Sequence, residues 1–597
     1  MELVFDIEAN GLLCDVPNNE KVNEADTIWC LVTIDENDNV KKFYGDTLDE
    51  GIEYLTKADK LIGHNISGYD IPLIEKLTGK KLFDANKVVD TLILSRLFKP
   101  VREGSHRLEA WAYRLRLPIQ KQQHEDWSQF SPEMLERCRK DVLINKKLFN
   151  YLKTEAIGFS KDSILLETQT NYWLTQQHMN GFYFDEQNAM SLTAELTQKL
   201  NETTDKVHET FKPIETLQTI NIRHNKDGSI SKMGQIEGET KKIKLTPEEY
   251  EELQSGKKQV VRKLIQEFNL GSRQQIGDRL IEFGWKPKKF TPTGRPIVDE
   301  STLKKITHIP EAKLIADYLL YQKRLAQIHS WIDVIDRKDD RVHGSVICTG
   351  AITGRMAHRS PNMAQVPAVY SPYGKECRSC WYVPDGYKLV GVDASGLELR
   401  MLAHYMADEE YINEIINGDI HTANQNFAGL ESRDKAKTFI YALIYGAGDA
   451  KIGTIVGGNQ SAGKQLRERF LGSLPTLRTL KERVERASTK GYLKGLDGRK
   501  ILLRHKHAAL NTLLQGGGAI VMKKGLCILA DRLNLAELDY KFVANVHDEW
   551  QIEVRECQAN RVGQLAVDSI IDAGKYYKMR CPLDGEYKIG DNWSETH

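Results

Sequence analysis

The chain has 597 residues, 83 basic and 83 acidic side chains, and 41% hydrophobic residues. That length allows roughly four domains, each large enough to bury a core, and the composition is that of an ordinary soluble protein. A formal net charge of zero argues against a generic nucleic-acid binder, although a sum leaves room for a basic channel beside acidic metal sites. Nine cysteines without a pairing rhythm indicate a reducing compartment. Cys377 and Cys380 form a lone CxxC with no second pair at zinc spacing. The start Met1-Glu2-Leu3-Val4 lacks a basic region followed by an apolar stretch, so no signal peptide is expected. No apolar run approaches ~20 residues, so no membrane span is expected and the cytoplasm is the expected location.

In chain order, Leu3-Val4-Phe5-Asp6-Ile7-Glu8 reads as a strand. Its period of two puts Asp6 and Glu8 on one face, with Phe5 and Ile7 on the other. The segment Leu61 to Asp70 reads as a buried strand running into a loop that ends in an acid, and Val88-Val89-Asp90-Thr91-Leu92 as another apolar strand end. Asp141 is read as the start of a helix continuing through Leu148. Acids delivered to element boundaries from separate places suit a site for two hard, oxygen-liganded metal ions.

Residues 160–210 and 312–338 show helical apolar spacing, with Leu314, Tyr318, Tyr321 and Leu325 sharing one face. Between them, residues 213–260 are rich in Lys, Glu, Gly, Asn and Gln and read as an exposed insertion. Basic clusters such as Lys241-Lys242 and Lys257-Lys258 are read as solvated faces.

Leu389-Val390-Gly391-Val392-Asp393 is an apolar strand that delivers Asp393 to its end, followed by Ala394-Ser395-Gly396-Leu397-Glu398-Leu399-Arg400. Arg433, Lys437 and Tyr441 are spaced i, i+4, i+8 and share a helical face. Guanidinium, ammonium and phenol together could grip a triphosphate and cover a stacked base; alone, the same spacing describes a solvated helix. Gly458 to Lys464 fits GxxxxGK, but Gln465 stands where a P-loop needs Ser or Thr, so a nucleoside-triphosphatase site is rejected. The glycines of Gln515-Gly516-Gly517-Gly518 permit close backbone approach. Val543-Ala544-Asn545-Val546-His547-Asp548-Glu549 is a second strand ending in a carboxylate. Two aspartates at neighbouring strand ends can hold two Mg²⁺ ions ~4 Å apart, the arrangement that clamps both oxygens of an in-line phosphoryl transfer.

The DxSxxELR and VHDE elements resemble those of family A (Pol I-type) DNA polymerases. The resemblance spans nearly the whole chain and is nearest to the phage T-seven-like replicative polymerases, through Asn417 to Thr422, Ala436 to Tyr441, Lys494 to Lys500 and Glu109 to Leu115. It implies an α/β and α+β multidomain architecture, with an RNase H-like 3′–5′ exonuclease followed by a right-hand polymerase. The expected boundaries are exonuclease 1–155, thumb 156–345 with its insertion near 213–260, palm 346–410 and 535–597, and fingers 411–534. No 5′-nuclease segment is expected ahead of the exonuclease, as in a replicative enzyme.

The resemblance assigns Asp393, the Ala394 carbonyl and Asp548 to two Mg²⁺ ions, with Mn²⁺ as a substitute. Arg433, His421 and Lys437 would bind the incoming nucleotide's phosphates, with Lys437 as proton donor to pyrophosphate. Tyr441 would pack on the sugar, and Glu398 would hydrogen-bond Tyr441 and block a ribose 2′-hydroxyl. Because phenylalanine at that position goes with exclusion of dideoxynucleotides, Tyr441 implies their ready acceptance. Arg355, Asn362, Gln365, His507, Asn511, Gln515 and His547 would read primer–template through minor-groove acceptors that every base pair presents.

In the N-terminal region the resemblance to the proofreading exonucleases carries Asp6, Glu8, Asp70 and Asp141 as metal ligands, with Asp90 read as structural. One departure stands out: the tyrosine usually found four residues before the last acid is Arg137 here. Expected partners are primer–template DNA and deoxynucleotides, with a phage helicase-primase and a single-strand binding protein. The shortened stretch near 213–260 speaks against a thioredoxin-type processivity factor. The enzyme is expected to be a monomer with no membrane contact. A single-subunit RNA polymerase is disfavoured by the proofreading acids and Glu398, and a non-catalytic DNA-binding subunit by the complete set of metal ligands.

Overall fold

A computed structural model describes residues 1–15, 23–118 and 126–597 of the chain. The chain folds into two compact units, Met1–Glu186 with Ser330–His597, and Gln187–His329. Residues 156–186 and 330–345, grouped with the thumb in the sequence reading, fall in the first unit.

Within the first unit, the opening strand Glu2–Ala9 is central to a five-stranded sheet. It pairs antiparallel with Ile28–Asp35, which pairs with Val40–Tyr44, and parallel with Lys60–Gly63, which pairs with Val88–Asp90. Both sheet faces are covered, as a partly parallel sheet requires. Leu3, Phe5 and Ile7 pack into one core and Val4 into another beneath the helix Pro132–Glu155. The apolar spacing predicts a start at Asp141 for that helix. It starts nine residues earlier because Ser131 caps it, accepting from Met134 N–H, and Pro132 fits the first turn. Asp141 therefore projects from the helix interior, one turn beyond Arg137.

The connecting helix Lys161–Asn180 leads out of this sheet towards a second one. That second sheet is wholly antiparallel, ordered Tyr540–Val546, Glu549–Arg555, Tyr387–Ala394 and Gly585–Gly590. The long helix Ala509–Leu535 lies against it. By length and composition this helix could cross a membrane, but 78% of its most apolar window is buried inside the protein, so it is a core helix. The helices Leu397–Met406, Ile420–Ala428, Arg433–Ile444, Asp449–Ile455, Gln460–Ser473 and Pro475–Ser488 share its core. The rejected GxxxxGK motif lies at the start of Gln460–Ser473. Gly463 packs there so tightly that a Cβ would meet the Asp449 carbonyl, and no strand precedes it.

The second unit is built on the helices Glu186–Thr210 and Glu311–Ile332 and a core including Phe211, Ile276, Leu280 and Ile315. The insertion is ordered: Ile214–Asn221, Met233–Ile236, Lys242–Lys244 and Gln259–Gln266 form a four-stranded sheet over Ile220, Leu245, Leu253 and Val260. Its polar composition hid a small core carried by four residues.

Two candidate carboxylate sites

Buried Leu389, Val390 and Val392 anchor the strand Tyr387–Ala394, so that Asp393 emerges at its end. Asp393 pairs across the sheet with Glu549 on one side and Glu586 on the other. The neighbouring hairpin turns at His547 and Asp548, and His547 takes φ +58°, which brings the chain round in two residues. Ala394 N–H donates to the Asp548 carbonyl at 3.1 Å, which locks the two strand ends together. Burial, then the charge of Asp548, pushes the Asp393 carboxyl up to about 7, and burial raises Asp548 as well. Crowded acid oxygens that resist ionising together form the donor set and electrostatics of a hard divalent cation site.

Glu549 points elsewhere. Its buried carboxylate accepts from Trp593 Nε1 and Gln551 Nε2, both at 2.5 Å, and lies 2.8 Å from His597 Nδ1. A cavity of about 200 Å³ is lined by Asp548, His547, Arg355, Glu398, Met522 and Lys523, among others.

Ser432 caps the helix Arg433–Ile444, accepting from Lys435 N–H. Arg433 Nε donates to Asp419 Oδ2 at 2.7 Å, which holds Asp419 well below the usual carboxylate range. Asp419 in turn caps the helix bearing His421. The His421 and Tyr441 rings lie 6.3 Å apart, and burial together with Arg433 and Lys437 keeps His421 below its ordinary value. Arg433 and Lys437 act electrostatically on His421 and Tyr441 lies near its ring, with Arg433 and Lys437 exposed.

Glu398 is hydrogen-bonded to Tyr445, not Tyr441: the Tyr445 hydroxyl lies 2.8 and 2.7 Å from its two carboxylate oxygens. Tyr445 is one turn further along the Arg433, Lys437, Tyr441 face, so the same i+4 series, carried one step on, would have found it.

The expected primer–template readers are partly gathered. Arg355 Nη2 approaches Glu398 Oε1 at 3.4 Å, and Arg355 and His547 line the Asp548 cavity. Beside Gln515, a Cβ on Gly516 would lie 3.2 Å from the Thr353 carbonyl, so the glycine allows the long helix to dock on the Thr353-Gly354-Arg355 turn. His507, Asn511 and Gln515 follow one another at four-residue intervals up to that point, whereas Asn362 and Gln365 are exposed on a short turn.

At the N-terminal sheet, carboxylate oxygens of Asp6, Glu8 and Asp141 lie within 4.8 Å of one another. Asp70 opens the helix Asp70–Thr78 and accepts from Ile7 N–H at 3.2 Å; burial pushes its carboxyl up to about 8. All four acids line a single cleft. Asp90 is structural: it accepts from Asn65 N–H, Ser67 N–H, Ser67 Oγ and Leu92 N–H, which pins the loop leading to Asp70. Arg137 Nε lies 3.2 Å from Glu8 Oε1, and the guanidinium stacks 4.7 Å from the Trp127 ring centre. Both sets consist of oxygen donors and fit Mg²⁺ better than a soft metal.

The profile of DNA polymerase family A matches residues 240–595. The chain belongs to this family and is a DNA-directed DNA polymerase. Among its relatives, it is 34% identical to the DNA-directed DNA polymerase of Enterobacteria phage T3 and 33% identical to that of Escherichia phage T7, covering 100% of both chains in each case. It resembles the solved POL domain of Pol1 from M. smegmatis, complexed with DNA primer-template and dNTP, with a TM-score of 0.77 over 100% of this chain and 95% of that one. At 17% identity, that likeness establishes a shared fold. The mixed α/β, multidomain exonuclease-plus-polymerase architecture expected from the sequence is the one found.

Proposed function

We propose that this polymerase is a template-directed replicative enzyme that extends a primer 3′ end and proofreads it at a separate 3′–5′ exonuclease site. The observation that carries the synthetic half is the hydrogen bond from Ala394 N–H to the Asp548 carbonyl, which holds the strand end bearing Asp393 beside Asp548, a residue lining a cavity with Arg355 and Glu398. Asp393, Asp548 and the Ala394 carbonyl would hold two Mg²⁺ ions, which when bound supply charge neutralisation at the attacking and leaving oxygens. Arg433, His421 and Lys437 would bind the triphosphate, Lys437 giving a proton to the leaving pyrophosphate. Tyr441 would pack on the sugar, and Glu398, held by Tyr445, would exclude a 2′-hydroxyl. Arg355, Asn362, Gln365, His507, Asn511, Gln515 and His547 would contact primer–template in the minor groove.

Asp6, Glu8, Asp70 and Asp141 would hold the metal ions of the exonuclease. Residues 1–155 would form that domain, the second unit the thumb, residues 346–410 and 535–597 the palm, and residues 411–534 the fingers. A monomer working with a helicase-primase and a single-strand binding protein fits this reading.

A 5′-labelled primer on a longer template, incubated with Mg²⁺, tests both halves. Extension with the four deoxynucleotides and 3′-shortening without them are expected. Shortening without extension would overturn the synthetic site, and extension without shortening the proofreading site.

A further inference from the structure

Four charges are buried together beside the polymerase cavity. Lys523 Nζ donates to both carboxylate oxygens of Glu167, at 2.7 and 2.8 Å. Arg499 Nη1 donates to Glu167 at 2.5 Å, and Arg499 Nε donates to Asp497 at 2.7 Å. The four side chains are 0–3% exposed, and two acids against two bases sum to zero. Burial raises the Glu167 carboxyl, but Lys523 and Arg499 outweigh it and keep the group ionised. Apolar side chains of similar volume often replace such clusters at no loss of stability. Packing alone is therefore a poor account of why these four are present.

The third donor of Lys523 gives a better account. An ammonium has three N–H groups; two serve Glu167 and the third reaches the Gly354 carbonyl at 2.8 Å. Gly354 sits at φ +80°, and a Cβ there would lie 3.2 Å from Arg499 Nη1, so this turn is built around the charge cluster. The next residue is Arg355, whose guanidinium approaches Glu398, and Glu398 holds Tyr445. A continuous path of contacts runs from Glu167 through Lys523, Gly354, Arg355 and Glu398 to Tyr445.

We propose that Lys523 and Glu167 are positioning residues for nucleotide selection: Lys523, oriented by Glu167, fixes the Gly354 carbonyl and so sets Arg355 and the Glu398–Tyr445 pair. The role rests on the reading of Glu398 as the residue that faces the nucleotide sugar. Glu167 marks where the connecting helix meets the polymerase half. One turn on, Asn171 Nδ2 donates to Ser67 Oγ at 2.9 Å, so the same helix also supports the loop before Asp70.

The test uses the full chain with Lys523→Met, Glu167→Gln and the double variant. The double variant removes one charge of each sign and leaves Arg499 with Asp497, so the cluster stays neutral. Steady-state kcat and KM for a deoxynucleotide, the deoxy-over-ribonucleotide ratio, 3′-shortening of a single strand, and hydrogen exchange over residues 353–357 are read on the same preparations. The expected result for Lys523→Met and the double variant is faster exchange at the turn and a loss of about tenfold in deoxynucleotide kcat/KM. The deoxy-over-ribo ratio should fall severalfold while single-strand shortening stays unchanged. Wild-type exchange and selectivity in the double variant would overturn the proposal, as would parallel losses in synthesis and shortening with an unchanged ratio. Faster exchange in the double variant with an unchanged ratio would uphold the contact and overturn its role in selection. A wild-type chain that does not extend primers would instead refute the polymerase reading.

Discussion

Asp393→Asn separates what this carboxylate costs the fold from what it is proposed to give the reaction. In the folded protein its pKa is about 7 against an ordinary 3.8, because burial and then the Asp548 charge oppose ionisation. A folded-state pKa above the unfolded one means that the native state binds the proton more tightly. Stability is therefore lost as pH rises from about 4 to about 7, and stays lost above that. Three units at ~1.4 kcal/mol each put the loss at roughly 4 kcal/mol at pH 8, and the same arithmetic gives a loss of roughly 1–2 kcal/mol at pH 5. Asparagine does not titrate. In EDTA, Asp393→Asn should thus slow hydrogen exchange of the strand Tyr387–Ala394, with a gain over wild type that is roughly 2–3 kcal/mol larger at pH 8 than at pH 5. Local exchange suits a multidomain chain of this size, for which two-state global unfolding is not expected. Primer extension should disappear in the same variant, and added Mg²⁺ should protect the strand in wild type but far less in the variant. A gain independent of pH, or a net loss of protection at pH 8, would show that burial and Asp548 are not what strains this carboxylate.

Glu398→Ala removes the partner of the Tyr445 hydroxyl and of Arg355, and should raise ribonucleotide incorporation by roughly tenfold or more; an unchanged deoxy-over-ribo ratio in single-nucleotide extension would remove Glu398 from sugar recognition. Arg137→Tyr takes a guanidinium off Glu8, so 3′-shortening should reach half its maximal rate at a severalfold lower Mg²⁺ concentration. If the Mg²⁺ titration midpoint does not move, Arg137 does not compete with the metal for Glu8. Trp381→Ala empties a site between Phe182, Phe184, Trp331 and Trp593, whose ring centres lie 4.7–6.3 Å from its own. It should cost about 3–5 kcal/mol, read as faster exchange in the strands Phe182–Phe184 and Arg341–Val342; a cost under ~1 kcal/mol would show that the site collapses around the loss.

The positions of the acids were legible in two ways. Asp393 and Asp548 each follow an apolar run of strand character, and the end of such a run is where a side chain leaves the core for a cleft, whereas Asp6 and Glu8 share one face of their strand through its period of two. The face formed by Arg433, Lys437 and Tyr441 was legible through its period. The partner of Glu398 was not, since helical spacing says which residues share a face and not which of two tyrosines a distant carboxylate will reach. The start of the Pro132 helix is marked by Ser131-Pro132, but the stronger apolar periodicity begins only at Asp141, so spacing alone places the boundary too late. Nothing in the sequence marked Glu167 and Lys523: they are separated by 356 positions, and each alone looks like a solvated helical charge.

The connecting helix Lys161–Asn180 bears on how this chain can change. Tyr172 stacks on Phe83 at 3.8 Å and its hydroxyl donates to Glu75, while Ser160 donates to the Asp497 carbonyl and Lys500 to the Ile157 carbonyl. The seam between the N-terminal sheet and the rest of the first unit therefore runs through side chains both parts need, not through a loop. Cutting the chain near residue 155 would uncover an aromatic face and orphan Tyr172, Asn171 and their partners. Substitution of single side chains in the N-terminal cleft would leave this seam intact, whereas deletion of the N-terminal sheet would not.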